Sequence, residues 1–209
     1  MTNIVVVDYG LGNIRSVAKS LEYLIKETKK SSKACIINNV QDLKEATHII
    51  LPGQGAFEAC MTGLKNIPGM IDELSEKVLI KSTPFLGICV GMQLLANTSY
   101  ENGEHKGLGW INGKIKKIPQ KNLKLPHIGW NEVSINKNND LIKKENFWNF
   151  YFVHSYYFDC EFQENEIGKT HYSIDFTSFV SKGNIFGVQF HPEKSSSNGL
   201  SLLKNFICL

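Results

Sequence analysis

Ile4-Val5-Val6-Val7 is apolar at every position, not at every second one. Such a run predicts a strand buried on both faces, as in a parallel sheet. Gly10 and Gly12 then mark a turn, and Asn13 is placed to cap a helix running to about Leu24. In that helix Ile14, Val17, Ala18, Leu21 and Leu24 recur at three- and four-residue spacing and share one face. The lysine-rich stretch 26–33 predicts a loop. Cys35-Ile36-Ile37 and His48-Ile49-Ile50-Leu51 predict a second and a third strand. Pro52-Gly53-Gln54-Gly55 breaks the pattern ahead of helices over 56–64 and 70–80. A fourth strand over 84–88 runs directly into a helix over 90–96. Strand–helix alternation of this kind predicts an α/β fold with a right-handed, doubly wound parallel sheet.

Beyond residue 100 the rhythm changes. Short strands are expected over 107–118, 133–135, 150–158, 171–180 and 185–190, separated by Gly, Asn and Lys turns. A helical pattern returns over 199–207. The expectation is an open, mostly parallel sheet with helices on both faces, extended by antiparallel strands folded onto the same sheet. The polar stretch 136–146 predicts a surface loop. No linker or repeat divides the chain, so one domain over 1–209 is expected.

Composition narrows the class. Of 209 residues, 42% are hydrophobic and 21% charged, which excludes whole-chain disorder or a collagen-like fibre. No apolar run approaches the ~20 residues of a membrane helix. The N-terminus has no basic segment and Asp8 interrupts its apolar run, so a cytoplasmic protein is expected. The formal charge of +3 is too slight to argue for nucleic acid, and Lys29-Lys30, Lys116-Lys117 and Lys143-Lys144 read as solvated pairs. Five cysteines, at 35, 60, 89, 160 and 208, are odd in number and widely spaced, with no Cys-x-x-Cys and no zinc-type His pair. Neither a disulfide framework nor a metal site is expected, and one cysteine stands apart.

That cysteine is Cys89, in Gly87-Ile88-Cys89-Val90-Gly91-Met92-Gln93. Gly-x-nucleophile-x-Gly between a strand and a helix has the form of a nucleophile elbow, its glycines leaving room for a tight turn. The turn would expose the sulfur at the carboxyl end of the sheet and at a helix N-terminus. Taken alone, the motif fits equally a small buried cysteine at a helix start. Among six histidines, His191 follows an apolar strand and precedes Pro192-Glu193. Glu193, two residues on, is placed to accept a hydrogen bond from the far ring nitrogen. An exposed His beside a solvated Glu is the plainer alternative. Pro52-Gly53-Gln54-Gly55 can aim backbone N–H groups at an oxyanion alongside the N–H of Val90, or form an ordinary strand-to-helix turn. Gly10-Leu11-Gly12 is not a dinucleotide fingerprint, because position 15 is Arg.

Together, Pro-Gly-x-Gly, Gly-Ile-Cys-Val-Gly-Met-Gln and His-Pro-Glu, in that order, resemble the class I (triad) glutamine amidotransferases, a family with a flavodoxin-like sheet. Asp8 to Val17, Pro126-His127-Ile128-Gly129-Trp130-Asn131, Tyr151 to Tyr156 and Gln189 to Ser195 are similar to the glutaminase subunits of imidazole glycerol phosphate synthases. The resemblance spans residues 4 to about 207. It implies that Cys89 attacks the side-chain amide of glutamine, that His191 shuttles protons and that Glu193 orients His191. It implies an oxyanion hole from the backbone of Val90 and, after a peptide flip, of Gln54. It implies that Gly53, Gly55, Gln93, Ser155 and Tyr156 hold the substrate. No cofactor is implied. The implied partner is a (β/α)8-barrel cyclase subunit that receives the ammonia, faced by Asn13, Arg15, His127, Trp130 and Asn131. Low glutaminase activity without that partner is also implied. Gln54 departs from the small or aliphatic residue usual in the family. Alternatives are a paralogue serving a sugar amidotransferase, a Cys-His hydrolase of the same fold, and a binding module with an inert elbow. The four remaining cysteines are expected to be dispensable.

Overall fold

The first apolar run becomes strand β1 (Thr2–Val7), with Ile4 to Val7 fully buried. Helix α1 (Ile14–Thr28) buries the five residues its spacing assigns to one face. The computed structural model describes residues 2–28, 32–120, 123–143 and 147–209. Lys29-Lys30, Lys144 and the end of the 136–146 stretch lie outside the described residues. β2 (Ser32–Ile37) pairs in parallel with β1, and residues 26–28 and 32–33 belong to α1 and β2, not to a loop.

α2 (Val40–Leu43) is a single turn capped by Asn39, whose Oδ1 accepts from Asp42 N at 3.0 Å. β3 (His48–Gly53) continues two residues past its apolar run, because Pro52 and Gly53 stay in register with Ile88 and Cys89 of the neighbouring strand. α3 (Phe57–Lys65) follows. The helix expected over 70–80 is α4 (Met70–Ser75) continued by a π turn, Glu76–Ile80, closed by Lys81 N donating to Glu76 O at 3.0 Å. β4 (Phe85–Cys89) and α5 (Val90–Gln93) complete the parallel half. α5 is one turn long. Beyond it Leu95 and Ala96 donate to Met92 and Gln93, three residues back, so the chain tightens where a helix over 90–96 was expected.

The antiparallel half is more divided than its apolar pattern predicts. It comprises β5 (Thr98–Ser99), β6 (His105–Lys106), β7 (Gly113–Lys117), β8 (His127–Glu132), β9 (Ser134–Ile135), β10 (Asn149–His154) and β11 (Tyr156–Cys160). β12 (Glu166–Tyr172), β13 (Ile174–Lys182), β14 (Ile185–Val188) and α6 (Ser196–Ile207) follow. The strand expected over 150–158 is two strands broken at Ser155. β10 leaves to pair with β8 in a separate ribbon, and β11 joins the main sheet. The strand expected over 171–180 is a hairpin turning at Ser173, which takes φ 65°. Leu141 and Ile142 are fully buried, so the stretch 136–143 is anchored to the core and is not wholly a surface loop.

The main sheet runs β2-β1-β3-β4-β14-β13-β11-β7-β5-β6. Its first five strands are parallel. The fold is therefore the α/β sheet with an antiparallel extension. Gly53 at the end of β3, Cys89 at the end of β4 and His191, just past β14, come together at one carboxyl edge, where open α/β sheets bind ligands. No helix among the described residues is long and apolar enough to cross a membrane.

Candidate active site

Cys89 takes φ 55° and ψ −111°, a conformation that few side chains adopt without support. The support is close backbone approach. A Cβ on Gly87 would lie 2.5 Å from Gly91 O, and one on Gly91 would lie 1.8 Å from Leu51 O. Only glycines let β3, β4 and α5 meet this tightly. Cys89 itself is 4% exposed and opens into a cavity of about 250 Å³. The cavity is lined by Gln54, Gly55, Val90, Gln93, Glu101, Pro126, Val153, His154, Ser155, Tyr156 and His191. One turn of α5 carries little of the helix field expected at the sulfur.

His191 reaches Cys89 from the other side of the cavity. The ribbon holds its backbone: His191 N donates to Tyr151 O at 2.9 Å, and Tyr151 N donates to Ser195 Oγ at 2.9 Å. Stacking of Phe150 on Phe190, with ring centroids 3.8 Å apart, pins the same junction. His191 Nδ1 lies 2.9 Å from Glu193 Oε1. A carboxylate only accepts, so Nδ1 carries the proton and Nε2 is turned toward chemistry. Nε2 is buried without a nitrogen or oxygen partner, which leaves it to the sulfur of Cys89. Burial pushes the ring's pKa down, but the charge of Cys89 and its hydrogen bond, then those of Glu193, outweigh burial and lift it to about 10. The site thus favours an imidazolium beside the sulfur.

The remaining expected residues fall into two groups. Gly53, Gln54, Gly55, Val90, Gln93, Ser155 and Tyr156 surround Cys89. Gly53 admits no side chain, since a Cβ would meet Gly91 N at 2.7 Å, and Gly55 needs φ 101°. Gln93 Nε2 donates to Tyr156 O at 3.1 Å and to Gln189 Oε1 at 3.0 Å, and Gln189 Nε2 approaches Cys89 Sγ at 3.7 Å. The second group, Asn13, Arg15, His127, Trp130 and Asn131, does not line the cavity. Arg15 is exposed, and Trp130 and Ile128 are 51% and 60% exposed on β8. Asn13 and His127 turn inward. Asn13 Nδ2 donates to Glu193 Oε1 at 3.0 Å, and His127 is buried between Phe152 and Tyr172.

Two features escaped sequence reasoning. Glu101 lines the cavity and accepts from Phe57 N at 2.7 Å, yet nothing local distinguishes it from other surface acids. His154 also lines the cavity, and it ends a chain of hydrogen bonds that starts at the outer face. Its Nδ1 lies 2.8 Å from Tyr156 O, which can only accept, so Nδ1 is protonated and Nε2 accepts. His127 Nδ1 therefore donates to His154 Nε2 at 2.9 Å, and His127 Nε2 accepts from Asn131 Nδ2 at 3.2 Å. Both rings are neutral. Burial lowers His127 to about 4; burial, with the nearby His127 and His191 charges, lowers His154 to about 3 despite the Tyr156 bond.

Residues 5–208 match the family model described as glutamine amidotransferase class-I. The chain is 47% identical over 207 residues to "Imidazole glycerol phosphate synthase subunit HisH 2" of Methanococcus maripaludis, covering 98% of both chains. It is 46% identical over 209 residues to a HisH subunit of Leptospira interrogans, again covering 98% of both. A HisH subunit of Pelagibacter ubique is 41% identical, over 99% of this chain and all of that one. Among solved structures, a glutamine amidotransferase superposes with TM-score 0.73 at 17% identity, covering 97% of this chain and 96% of that one. A second, from Thermotoga maritima, gives TM-score 0.64 at 19% identity, covering 92% and 76%. At such identities the two structures speak for the fold.

Proposed function

Because the chain belongs to the class-I glutamine amidotransferase family, we propose that it is the glutamine-hydrolysing subunit of an imidazole glycerol phosphate synthase, acting in histidine biosynthesis as one glutamine amidotransferase domain over 1–209. The observation that carries the chemistry is the fully buried His191–Glu193 pair, 2.9 Å apart, with its free ring nitrogen turned to a cysteine on a strained elbow. The names of relatives more than 40% identical over nearly the whole chain carry the pathway.

Glutamine enters the cavity with its side-chain amide at Cys89. The acidic Glu101 matches the substrate's α-ammonium group, and Gly55, Gln93, Ser155 and Tyr156 surround the rest, with Gly53 paired beside Cys89. The Cys89 sulfur attacks the amide carbon. The oxyanion that forms is bound by the N–H of Val90 and, once the Gly53–Gln54 peptide turns inward, by the N–H of Gln54. One such donor contributes about 2.7–4 kcal/mol to lowering a barrier. His191 gives its Nε2 proton to the departing amine as the C–N bond breaks, which releases ammonia and leaves a γ-glutamyl thioester. The neutral ring then takes a proton from water as its oxygen attacks the thioester. Breaking the C–S bond frees glutamate and returns the proton to the His191–Cys89 pair. Glu193 stays ionised and holds the ring.

Ammonia released into water is protonated and lost to further reaction, so the product goes to a partner. In this reading the partner is a (β/α)8-barrel cyclase subunit that forms a heterodimer with the chain in the cytoplasm. Trp130 and Ile128 anchor the contact, Arg15 and Asn131 border it, and Asn13 and His127 link it to the site. Exposed aromatics beside an Arg suit an interface hot spot.

The test mixes the chain with a cyclase subunit, glutamine and N1-(5-phosphoribulosyl)-formimino-AICAR ribonucleotide, and follows glutamate and AICAR together. Matched release of both, abolished by Cys89→Ala, is the expected result. Glutamate without AICAR would move the partner to another acceptor, a sugar amidotransferase first. Neither product from the folded pair would overturn the reading.

A further inference from the structure

Resting on the glutaminase reading above, we infer that Tyr9 and Cys60 are positioning residues that clamp the two peptide planes flanking the Gly53–Gln54 peptide, so that this peptide alone is free to turn its N–H toward the oxyanion. Tyr9 Oη donates to Pro52 O at 2.7 Å, and that oxygen belongs to the plane joining residues 52 and 53. Cys60 Sγ donates to Gln54 O at 3.5 Å, and that oxygen belongs to the plane joining residues 54 and 55. Between them lies the one plane that carries Gly53 C=O and Gln54 N–H. With its neighbours fixed, it can rotate only about the line between its two Cα atoms.

The clamps are rigid. Tyr9 is 6% exposed and Cys60 fully buried. Their side chains also lie beside one another, which brings the turn after β1 against α3. Tyr9 packs so closely on α3 that a Cβ on Gly63 would lie 2.6 Å from Tyr9 O. The start of α3 is held in turn by Glu101, which accepts from Phe57 N. The rotating unit has no spare room on its Gly53 side, where a Cβ would meet Tyr9 Oη at 2.8 Å and Gly91 N at 2.7 Å. The turn changes only ψ of Gly53 and φ of Gln54, and Gly55, at φ 101° beyond the second clamp, keeps its conformation. The clamp lowers the number of loop states from which the aligned donor must be drawn, which is how preorganised oxyanion donors gain their effect.

Cys60 is therefore set apart from Cys35, Cys160 and Cys208. A Ser at position 60 keeps a donor; an Ala removes it. The experiment measures glutamine turnover in the complex with the cyclase subunit and its nucleotide, together with hydrogen exchange at the amides of residues 54 and 55 in the isolated chain. Loss of one buried hydrogen bond corresponds to roughly a 2- to 12-fold effect. Tyr9→Phe is expected to lower stimulated kcat by about tenfold with KM for glutamine unchanged, and to speed exchange at both amides by a similar factor. Cys60→Ala is expected to lower kcat about threefold, and Cys60→Ser to restore it. Wild-type kcat and exchange in both Tyr9→Phe and Cys60→Ala would overturn the clamp, as would a loss of kcat in Cys60→Ser equal to that in Cys60→Ala. The exchange arm needs no turnover. If the wild-type complex hydrolyses no glutamine, the glutaminase reading falls, while unchanged or faster exchange still decides the clamp.

Discussion

Glu193 Oε1 accepts from His191 Nδ1 and from Asn13 Nδ2 at once, at 2.9 and 3.0 Å. The second bond crosses 180 residues of sequence and gives the same carboxylate oxygen a second donor. Removing it frees Glu193 to rotate without touching the substrate. Asn13→Ala is therefore expected to lower stimulated kcat by about three- to tenfold at constant KM, as measured by glutamate release. Asn13→Asp sets a second carboxylate against Glu193 and is expected to cost more than Ala does. Equal rates in all three proteins would dismiss the contact. Residues at this scale were legible where spacing is local. Gly87, Cys89 and Gly91 share one turn, and His191 and Glu193 share another, so the sequence pattern suffices to group each set. Asn13, Glu101 and His154 enter through contacts between distant segments, and no periodicity records those.

The β8–β10 ribbon illustrates the same limit for whole elements. β8 reads His-Ile-Gly-Trp-Asn-Glu, and its inward positions are His127, Gly129 and Asn131, so it lacks the apolar alternation that marks a half-buried strand. The parallel strands, apolar throughout, and α1, amphipathic at helical spacing, were legible because burial alone dictates their pattern. In β8 polar groups face inward because they bond one another. Both histidines of that chain are held neutral, His127 with a pKa of about 4 and His154 of about 3. Their ordinary value in an unfolded chain is near 6.5. Below that pH the unfolded state binds more protons than the folded one, so their contribution is intact above about 6.5 and lost as pH falls toward 4. Urea midpoints are expected to drop steadily across this window, and a flat profile from pH 7 to 4 would contradict the buried neutral pair. His191 has the opposite sign. Raised to about 10, it favours folding below 6.5 and ceases to do so as pH climbs through 10.

Across the molecule, the ribbon joins the outer face to the site. β8 presents Trp130, and β10 holds His191 through Tyr151 O. Trp130→Ala is expected to weaken binding of the cyclase subunit by about 2 kcal/mol, roughly thirtyfold, in titration calorimetry. The fold of the isolated chain, read by its melting curve, is expected to stay intact, because the side chain is half exposed. An unaltered Kd would place the interface elsewhere. The ribbon has a further consequence for how the chain is made. Among the described residues β8 pairs with β10 alone, so its other edge keeps unpaired backbone groups beside an exposed Trp and Ile. Such an edge is a template for self-association. A newly made chain without its partner is expected to aggregate in proportion to its concentration, and co-expression with the cyclase subunit to raise its soluble yield. Balanced synthesis of the two subunits then protects solubility as well as chemistry.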